Sequence, residues 1–323
     1  MKNNYWIVDE WLIFKPTFNE ELDEYYNIIN KYEKIIFSNY NNPLIAIETN
    51  NEFNNNSNYI ESKFNQEIDL SNNINLTHLT FGDDFNQEID LSNNINLTHL
   101  TFGWFFNKEI DLSNNINLTH LTFGNDFNQE IDLSNNINLT HLTVFGFHFN
   151  QEIDLSNNIN LTHLTFGVCF NQKINLLNNI NLTYLTFGNY FNQKIDLSNN
   201  IDLTHLTFKR CFNQEINIPL NVKSLNMNCC NNQYIIDNLH NNIEELKIYN
   251  NDLNLDNLPN SIKKIYIEYY KKELNNLPNS IEYLELRFYK LKIIKIPKNL
   301  KTIKCDRYYP YIDDFKDYEV IYH

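Results

Sequence analysis

The chain has 323 residues, 42% of them hydrophobic, and a formal net charge of −15. Its 23 Phe and 20 Tyr exclude an intrinsically disordered protein, and its acidic surplus argues against nonspecific binding to nucleic acids or anionic membranes. No stretch approaches the ~18 apolar residues of a membrane span, no signal-peptide core is present, and five Cys without a CxxC pair are typical of reduced thiols, so we expect a cytoplasmic protein.

The N-terminal region, residues 1–62, lies outside the clear repeats and is predicted to be a small α+β cap. A capping-box sequence followed by apolar residues at helical intervals predicts a helix over about 18–34. The segments 35–37 and 44–47 have the composition of strands, and the polar run 50–58 is typical of a loop. A cap is expected because the end of a stack of repeats needs a polar cover.

The central region, residues 63–218, consists of regular units that begin with Phe-Asn and read FNQEIDLSNNINLTHLTFG followed by two further residues. The spacing is 21 residues, apart from one spacing of 22 caused by an inserted residue around Val144. The units begin at Phe64, Phe85, Phe106, Phe127, Phe149, Phe170, Phe191 and Phe212. A unit this short cannot bury enough apolar surface alone, so the units are expected to stack as coils of a solenoid.

Within one unit the apolar residues predict two short extended pieces joined by turns, because two stretches alternate with period two. The residues expected in the core of the first unit are Phe64, Ile68, Leu70, Ile74, Leu76, Leu79 and Phe81.

Two further columns repeat with the same period and are predicted to be structural. One contains every glycine of the chain: Gly82, Gly103, Gly124, Gly146, Gly167 and Gly188. We expect each glycine to form a corner that needs a positive φ or a close backbone approach. The second column is predicted to be a buried amide ladder that satisfies turn backbone groups. Its members are Asn65, Asn86, Asn107, Asn128, Asn150, Asn171, Asn192 and Asn213.

Residues 219–308 form degenerate repeats of 19–21 residues, and residues 309–323 form an aromatic, acidic tail that is expected to cap the other end. The pattern L-x-x-L-x-F, at Leu76, Leu79 and Phe81, matches the strand segment of leucine-rich repeats. The predicted fold is therefore a mainly β, leucine-rich-repeat-like solenoid of about 12 coils of 19–22 residues.

The units also resemble FNIP repeats, which are relatives of leucine-rich repeats found in social amoebae and in giant viruses of amoebae. The family's Phe-Asn and following Ile are matched by Phe85, Asn86 and Ile89, and its LPxSI step by the sequences that begin at Leu258 and Leu277. The regular units depart from it, with LSNNI or LLNNI in place of LPxSI. The resemblance implies a protein–protein interaction scaffold without catalytic residues. Viral members of the family often carry an N-terminal F-box that recruits a ubiquitin ligase.

The strand of each regular unit is expected to point two side chains outward, and we call the surface they form the strand face. The first column is His78, His99, His120, His141, His163, Tyr184 and His205. The second is Thr80, Thr101, Thr122, Thr143, Thr165, Thr186 and Thr207. Partner contact through this face is the favoured hypothesis. No metal site is predicted, because no carboxylate or Cys completes one at ligand spacing, but a response of adjacent imidazoles to acid stays open.

No motif for nucleotide binding, a nucleophile elbow or a zinc protease is present, and the same residues recur many times instead of converging once. The sequence therefore predicts a non-catalytic scaffold without cofactor or metal, whose partner is a protein. Two alternatives stay open: a substrate-recruiting subunit that binds a ubiquitin-ligase adaptor through a divergent F-box in residues 1–62, and a repeat array with no partner at all.

Overall fold

The computed structural model describes residues 4–49, 59–249 and 253–323. The polar run 50–58, predicted as a loop, falls almost entirely outside the described residues. The chain divides into two units, Met1–Asn179 and Ile180–His323, and each is described by itself. Each unit is a β-solenoid, and together their described residues form about 14 turns, more than the 12 expected.

The first unit contains eight strands in chain order. They are β1 (Tyr5–Val8), β2 (Trp11–Phe14), β3 (Lys34–Phe37), β4 (His78–Thr80), β5 (His99–Thr101), β6 (His120–Phe123), β7 (His141–Val144) and β8 (His163–Phe166). Strand β1 is antiparallel to β2, and every later pair is parallel. From β4 to β8 equivalent residues pair, so that His78 lies opposite His99. The repeat therefore fixes the register.

The predicted helix over 18–34 is wrong in extent. Helix α1 covers only Tyr26–Ile29, and the chain before it follows the path of a repeat unit. The ring of Phe18 stacks on Phe64 at 5.7 Å, and the Oδ1 atom of Asn19 accepts a hydrogen bond from the Asn65 backbone N–H at 2.9 Å. Phe18 and Asn19 thus begin a further coil that ends in β3.

A second helix stands where a strand over 44–47 was predicted. Helix α2 covers Pro43–Glu48, because Asn42 accepts a hydrogen bond from the Leu44 N–H and Pro43 occupies the first turn, both of which favour a helix start. The strand predicted over 35–37 is present as β3. The N-terminal region therefore contributes three strands to the sheet as well as a helix.

The core of the first unit is built from columns of phenylalanine and leucine. The rings of Phe81 and Phe85 stack at 3.8 Å, and Phe85 lies 6.0 Å from Phe106 in the next coil. The expectation for Ile74 is wrong, since its side chain is 58% exposed. Its equivalents in the first unit, Ile95, Ile116, Ile137 and Ile159, are exposed as well. These isoleucines occupy the tight turn between the asparagine pair and the next core leucine, so they point outward.

Each coil contains one strand instead of two. The segment Ile68–Leu70 makes no ladder; instead, Asp69 accepts a hydrogen bond from the Ser71 N–H at 2.8 Å, which forms a local turn. The following turn rests on a buried asparagine column that the sequence analysis missed. In it, the Asn94 side-chain amide donates to the carbonyls of Leu70 and Asn73 at 3.0 and 2.8 Å. These bonds link successive turns, as interior backbone groups require.

The second unit contains eight parallel strands. They are β9 (Tyr184–Thr186), β10 (His205–Phe208), β11 (Ser224–Asn228), β12 (Glu245–Tyr249), β13 (Lys264–Glu268), β14 (Tyr283–Arg287), β15 (Thr302–Cys305) and β16 (Glu319–Tyr322). A short helix α3 covers Gln233–Asp237, and a 3-10 turn covers Ile312–Phe315. The tail, expected as a cap, thus adds a strand beside β15.

Candidate interaction surface

Five imidazole rings form a continuous stack on the strand face of the first unit. Successive ring centroids lie 4.1–4.2 Å apart, and the planes differ by 10–13°. The rings belong to His78, His99, His120, His141 and His163. The stack arises because the strands are parallel and in exact repeat register, which places equivalent side chains one strand spacing apart.

The threonine before each histidine fixes the position of the ring proton. The Thr98 hydroxyl lies 3.0 Å from the Thr77 carbonyl of the preceding coil and 2.9 Å from Nδ1 of His99. A hydroxyl has one proton to donate, and a carbonyl can only accept, so the hydroxyl must accept from Nδ1. We therefore assign the proton of His99 to Nδ1. The same geometry holds at the other four rings of the stack.

The stack is neutral at pH 7. Burial, and then the charge that neighbouring histidines would carry, lower the pKa of His99, His120 and His141 from the ordinary 6.5 to about 4. For His78, burial and then the nearby Lys34 ammonium lower the pKa to about 4. Because the Nδ1 atoms are bonded to threonines, the Nε2 lone pairs are the free acceptors of the stack.

The N-terminal end of the strand face is occupied by the chain itself. Thr80 and Thr101 are buried, with 3% and 7% exposure. Thr80 is in register with Ile36, which packs in a cluster with Tyr40 and with Ala46 of helix α2. Two of the predicted contact threonines are therefore withdrawn from solvent, whereas Thr122, Thr143 and Thr165 stay half-buried.

The strand face of the second unit begins in the same way and then changes character. The ring of Tyr184 stacks on His205 at 4.1 Å, and burial lowers the pKa of His205. Thr186 and Thr207 are half-buried beside them. In the later strands charged residues take these positions, as in the ion pair between Lys247 and Glu245 at 2.9 Å.

The glycine column meets close backbone approach, and no glycine has a positive φ. A Cβ atom on Gly124 would lie 2.0 Å from the Gly103 carbonyl oxygen, and one on Gly103 would lie 2.2 Å from the Gly82 oxygen. A Cβ on Gly167 would lie 2.0 Å from the Phe145 carbonyl oxygen, whereas the nearest atom to one on Gly146 is 3.0 Å away. Gly82 packs on Ser62, and Gly188 is buried.

The Phe-Asn asparagines form a hydrogen-bonded ladder that is half-buried or exposed, not buried as expected. Each side-chain Oδ1 accepts from the backbone N–H of the equivalent asparagine in the next coil, at 2.8–3.0 Å. In the first unit the ladder comprises Asn65, Asn86, Asn107, Asn128, Asn150 and Asn171, and in the second it comprises Asn192 and Asn213.

Within residues 4–49, 59–249 and 253–323, no three His, Cys, Asp or Glu side chains converge on a position that could hold a metal ion. The helices found in these ranges are too short to cross a bilayer. The surfaces of the two units are therefore described by their repeated columns alone.

The comparisons with known proteins agree with this architecture. The FNIP Repeat family matches residues 249–289, the part of the chain in which the LPxSI steps occur. No curated protein matches the chain. Among solved structures, an internalin, InlF of Listeria monocytogenes, is 20% identical with a TM-score of 0.54, over 80% of this chain and 84% of its own.

Two further structures are similar over most of this chain. A circular LRR protein, CroV588, is 27% identical with a TM-score of 0.42, over 94% of this chain and 60% of its own. The functional domain of InlJ from Listeria monocytogenes is 16% identical with a TM-score of 0.49, over 92% and 67%. The chain spans about three fifths of the length of CroV588. The chain is thus a β-solenoid of the leucine-rich-repeat type with a match to the FNIP Repeat.

Proposed function

We propose that this protein is a non-catalytic scaffold that binds a protein partner through the strand face. Folds of this type are typical protein-interaction scaffolds. The observation that supports this face most strongly is the imidazole stack, because it offers a row of outward Nε2 acceptors on a flat surface. Each Nε2 atom can accept a hydrogen bond from a partner's N–H or O–H group.

The neutrality of the stack suits an interface. Burying a charged side chain against a partner carries a desolvation cost of several kcal/mol unless the charge is paired. A neutral ring with its Nδ1 proton already bonded to a threonine needs one donor from the partner and carries no such penalty. The stacked rings are also held in place before binding, which lowers the entropy cost of ordering them.

The alternative of an F-box-like N-terminus receives no support from the described residues 4–49. An F-box packs three helices, whereas this segment contributes three strands to the sheet together with helices of four and six residues. We therefore place the partner on the strand face and not on the N-terminal region.

The proposal is tested by affinity purification from the native host cell followed by mass spectrometry. The bait is the full chain, the triple histidine variant H99S/H120S/H141S, or the control variant E88Q/E109Q/E130Q, whose side chains are exposed outside the strand face. We expect a partner that the wild-type chain and the control capture equally and that the histidine variant captures at least tenfold less. Equal capture by the folded histidine variant, checked by circular dichroism, would contradict the proposal.

A further inference from the structure

The five regular units of the first unit differ from one another almost only at the two residues that follow the glycine corner. The units that begin at residues 64, 85, 106, 127 and 149 share 19 positions with few exceptions: Lys108 in place of Gln, and Val144 with the inserted Phe145. The following pairs are Asp-Asp, Trp-Phe, Asn-Asp, Phe-His and Val-Cys. These variable pairs are Asp83–Asp84, Trp104–Phe105, Asn125–Asp126, Phe147–His148 and Val168–Cys169.

Exposure alone does not explain this pattern. Ile95 and Ile116 are 52% and 51% exposed, yet isoleucine occupies their position in all five units. The exposed glutamate position of the units, at Glu88 and Glu109, is also the same in all five. Drift after duplication would have altered these exposed positions as readily as the variable pairs. The chemical diversity of the pairs therefore requires a reason of its own.

The backbone beneath the variable pairs is held constant, so that only their side chains differ. The Phe105 N–H donates to the Asp83 carbonyl and the Asp126 N–H donates to the Trp104 carbonyl, both at 2.9 Å. The Val168 N–H donates to the Gly146 carbonyl at 3.1 Å. Together with the close glycine contacts, these bonds place the pairs of neighbouring coils side by side along the carboxyl ends of the strands.

The middle of this edge is aromatic and exposed. Trp104, Phe105, Phe145 and Phe147 are 39%, 40%, 47% and 48% exposed, and Asp126 lies on the coil between the two aromatic groups. We call these five residues the edge strip. Exposed Trp and Phe are costly on a free surface and are the residue types that dominate binding energy in interfaces.

The charges of the same coils indicate the chemistry of the ligand. Residues 64–169 contain 13 Asp or Glu and a single Lys or Arg, Lys108, which lines a cleft with Glu67 and Glu88. The ion pair found for the Asp126 carboxylate is with His148, at 3.8 Å. A cationic side chain bound at the edge strip would meet a carboxylate and aromatic faces, both of which attract it.

We infer that the edge strip is a specificity-determining docking site for a protein segment that carries an arginine or lysine next to a large apolar side chain. The apolar side chain packs on the aromatic group, and the cation lies over a ring beside Asp126. The inference rests on the proposed function, since both describe a protein-binding scaffold, but it concerns a different surface from the strand face.

The test uses a random-peptide phage library panned on the full wild-type chain, followed by fluorescence anisotropy with the selected peptides. The edge-strip variant is W104N/F105D, which copies the pair of the next coil and so keeps a pair the same backbone accepts. The triple histidine variant serves as the control, and thermal melts check the fold of each. Acrylamide quenching of Trp104 reports contact directly.

We expect the selected peptides to combine a basic residue with an adjacent aromatic or aliphatic one, and to bind the edge-strip variant at least tenfold more weakly than the wild type. The histidine variant should bind these peptides unchanged. Peptides without a basic residue, equal binding by the folded edge-strip variant, or no selected peptide would each overturn the inference. Loss of binding in the histidine variant alone would overturn the inference and leave the proposed function standing.

Discussion

Substitution of Gly124 by alanine tests the close approach between successive coils. The new Cβ would lie 2.0 Å from the Gly103 carbonyl oxygen and 2.4 Å from its carbon, whereas ordinary contact begins near 3.4 Å. The backbone would have to move by about 1.4 Å, the difference of these values. A carbonyl in the preceding coil cannot rotate away as a flexible side chain can, so the strain falls on the stacking itself.

The magnitude follows from two opposing effects. Overpacking typically costs about 1–3 kcal/mol and sometimes more, and a glycine-to-alanine change recovers about 0.4–1 kcal/mol by restricting the unfolded chain. We expect Gly124→Ala to destabilise the protein by about 2 kcal/mol or more. Gly146→Ala is the matched control, because its nearest contact is 3.0 Å and a shift of a few tenths of an ångström relieves it. We expect that change to stay within about 1 kcal/mol.

The assay is urea denaturation followed by circular dichroism, with hydrogen exchange to locate the weakened coils. Solenoids can unfold in parts, so the exchange data decide which coils open. Faster exchange should centre on β5 and β6 in Gly124→Ala. A Gly124→Ala protein as stable as the wild type, or a larger loss at Gly146, would refute the assignment of these glycines to close packing.

Three further predictions concern the first unit. The histidines of lowered pKa bind fewer protons folded than unfolded, so stability should fall as pH drops from about 6.5 towards 4, by about 1 kcal/mol per ring at pH 5 after allowance for solvent screening; urea denaturation at pH 7, 6 and 5 should show a shallower fall in the triple histidine variant, and an identical fall would count against the neutral stack. Asn115→Ala removes two hydrogen bonds of 3.0 Å from buried carbonyls and should cost about 2–4 kcal/mol, whereas Asn114→Ala, which loses one exposed bond of 3.3 Å, should cost under about 1; equal denaturation midpoints would show that the buried column is dispensable. Ile116→Ser should change stability by less than about 0.5 kcal/mol and Leu118→Ala should cost about 2–5; a large loss at the isoleucine would place it in the core after all.

The solenoid could be predicted from the sequence because its period is stated many times. Phe-Asn recurs every 21 residues, and a unit that cannot fold alone must stack. The additional coil at Phe18–Asn19 was missed because it stands 46 residues before Phe64, and a helical turn replaces its second half. A search for isolated Phe-Asn pairs outside the regular spacing would have found it.

The side-chain environments were harder to predict than the fold. A one-dimensional pattern cannot distinguish an apolar residue at a tight turn from one in the core, so Ile74 was placed inside. The buried role of Asn94 was hidden because three of the four asparagines in each NNxN segment bond to the preceding coil, and only the geometry shows which one lies inside.

For the candidate site, the sequence showed that the histidines align but not their chemical state. The neutral form and the Nδ1 proton depend on the hydroxyl of Thr98 and its equivalents, whose bonds to the preceding coil exist only after stacking. The burial of Thr80 depends on the packing of helix α2, which had been predicted as a strand. The edge strip, by contrast, is visible when the units are aligned with one another.

Nitrogen-15 NMR of the histidine side chains tests the central claim most directly, since it detects the position and number of ring protons. Spectra of the full chain between pH 7.5 and 4.5, with His120→Ser for assignment of the middle ring, would be recorded. The account predicts that the stacked rings carry their proton on Nδ1 at pH 7 and gain a second proton only near pH 4. A proton on Nε2, or titration near pH 6.5, would contradict it.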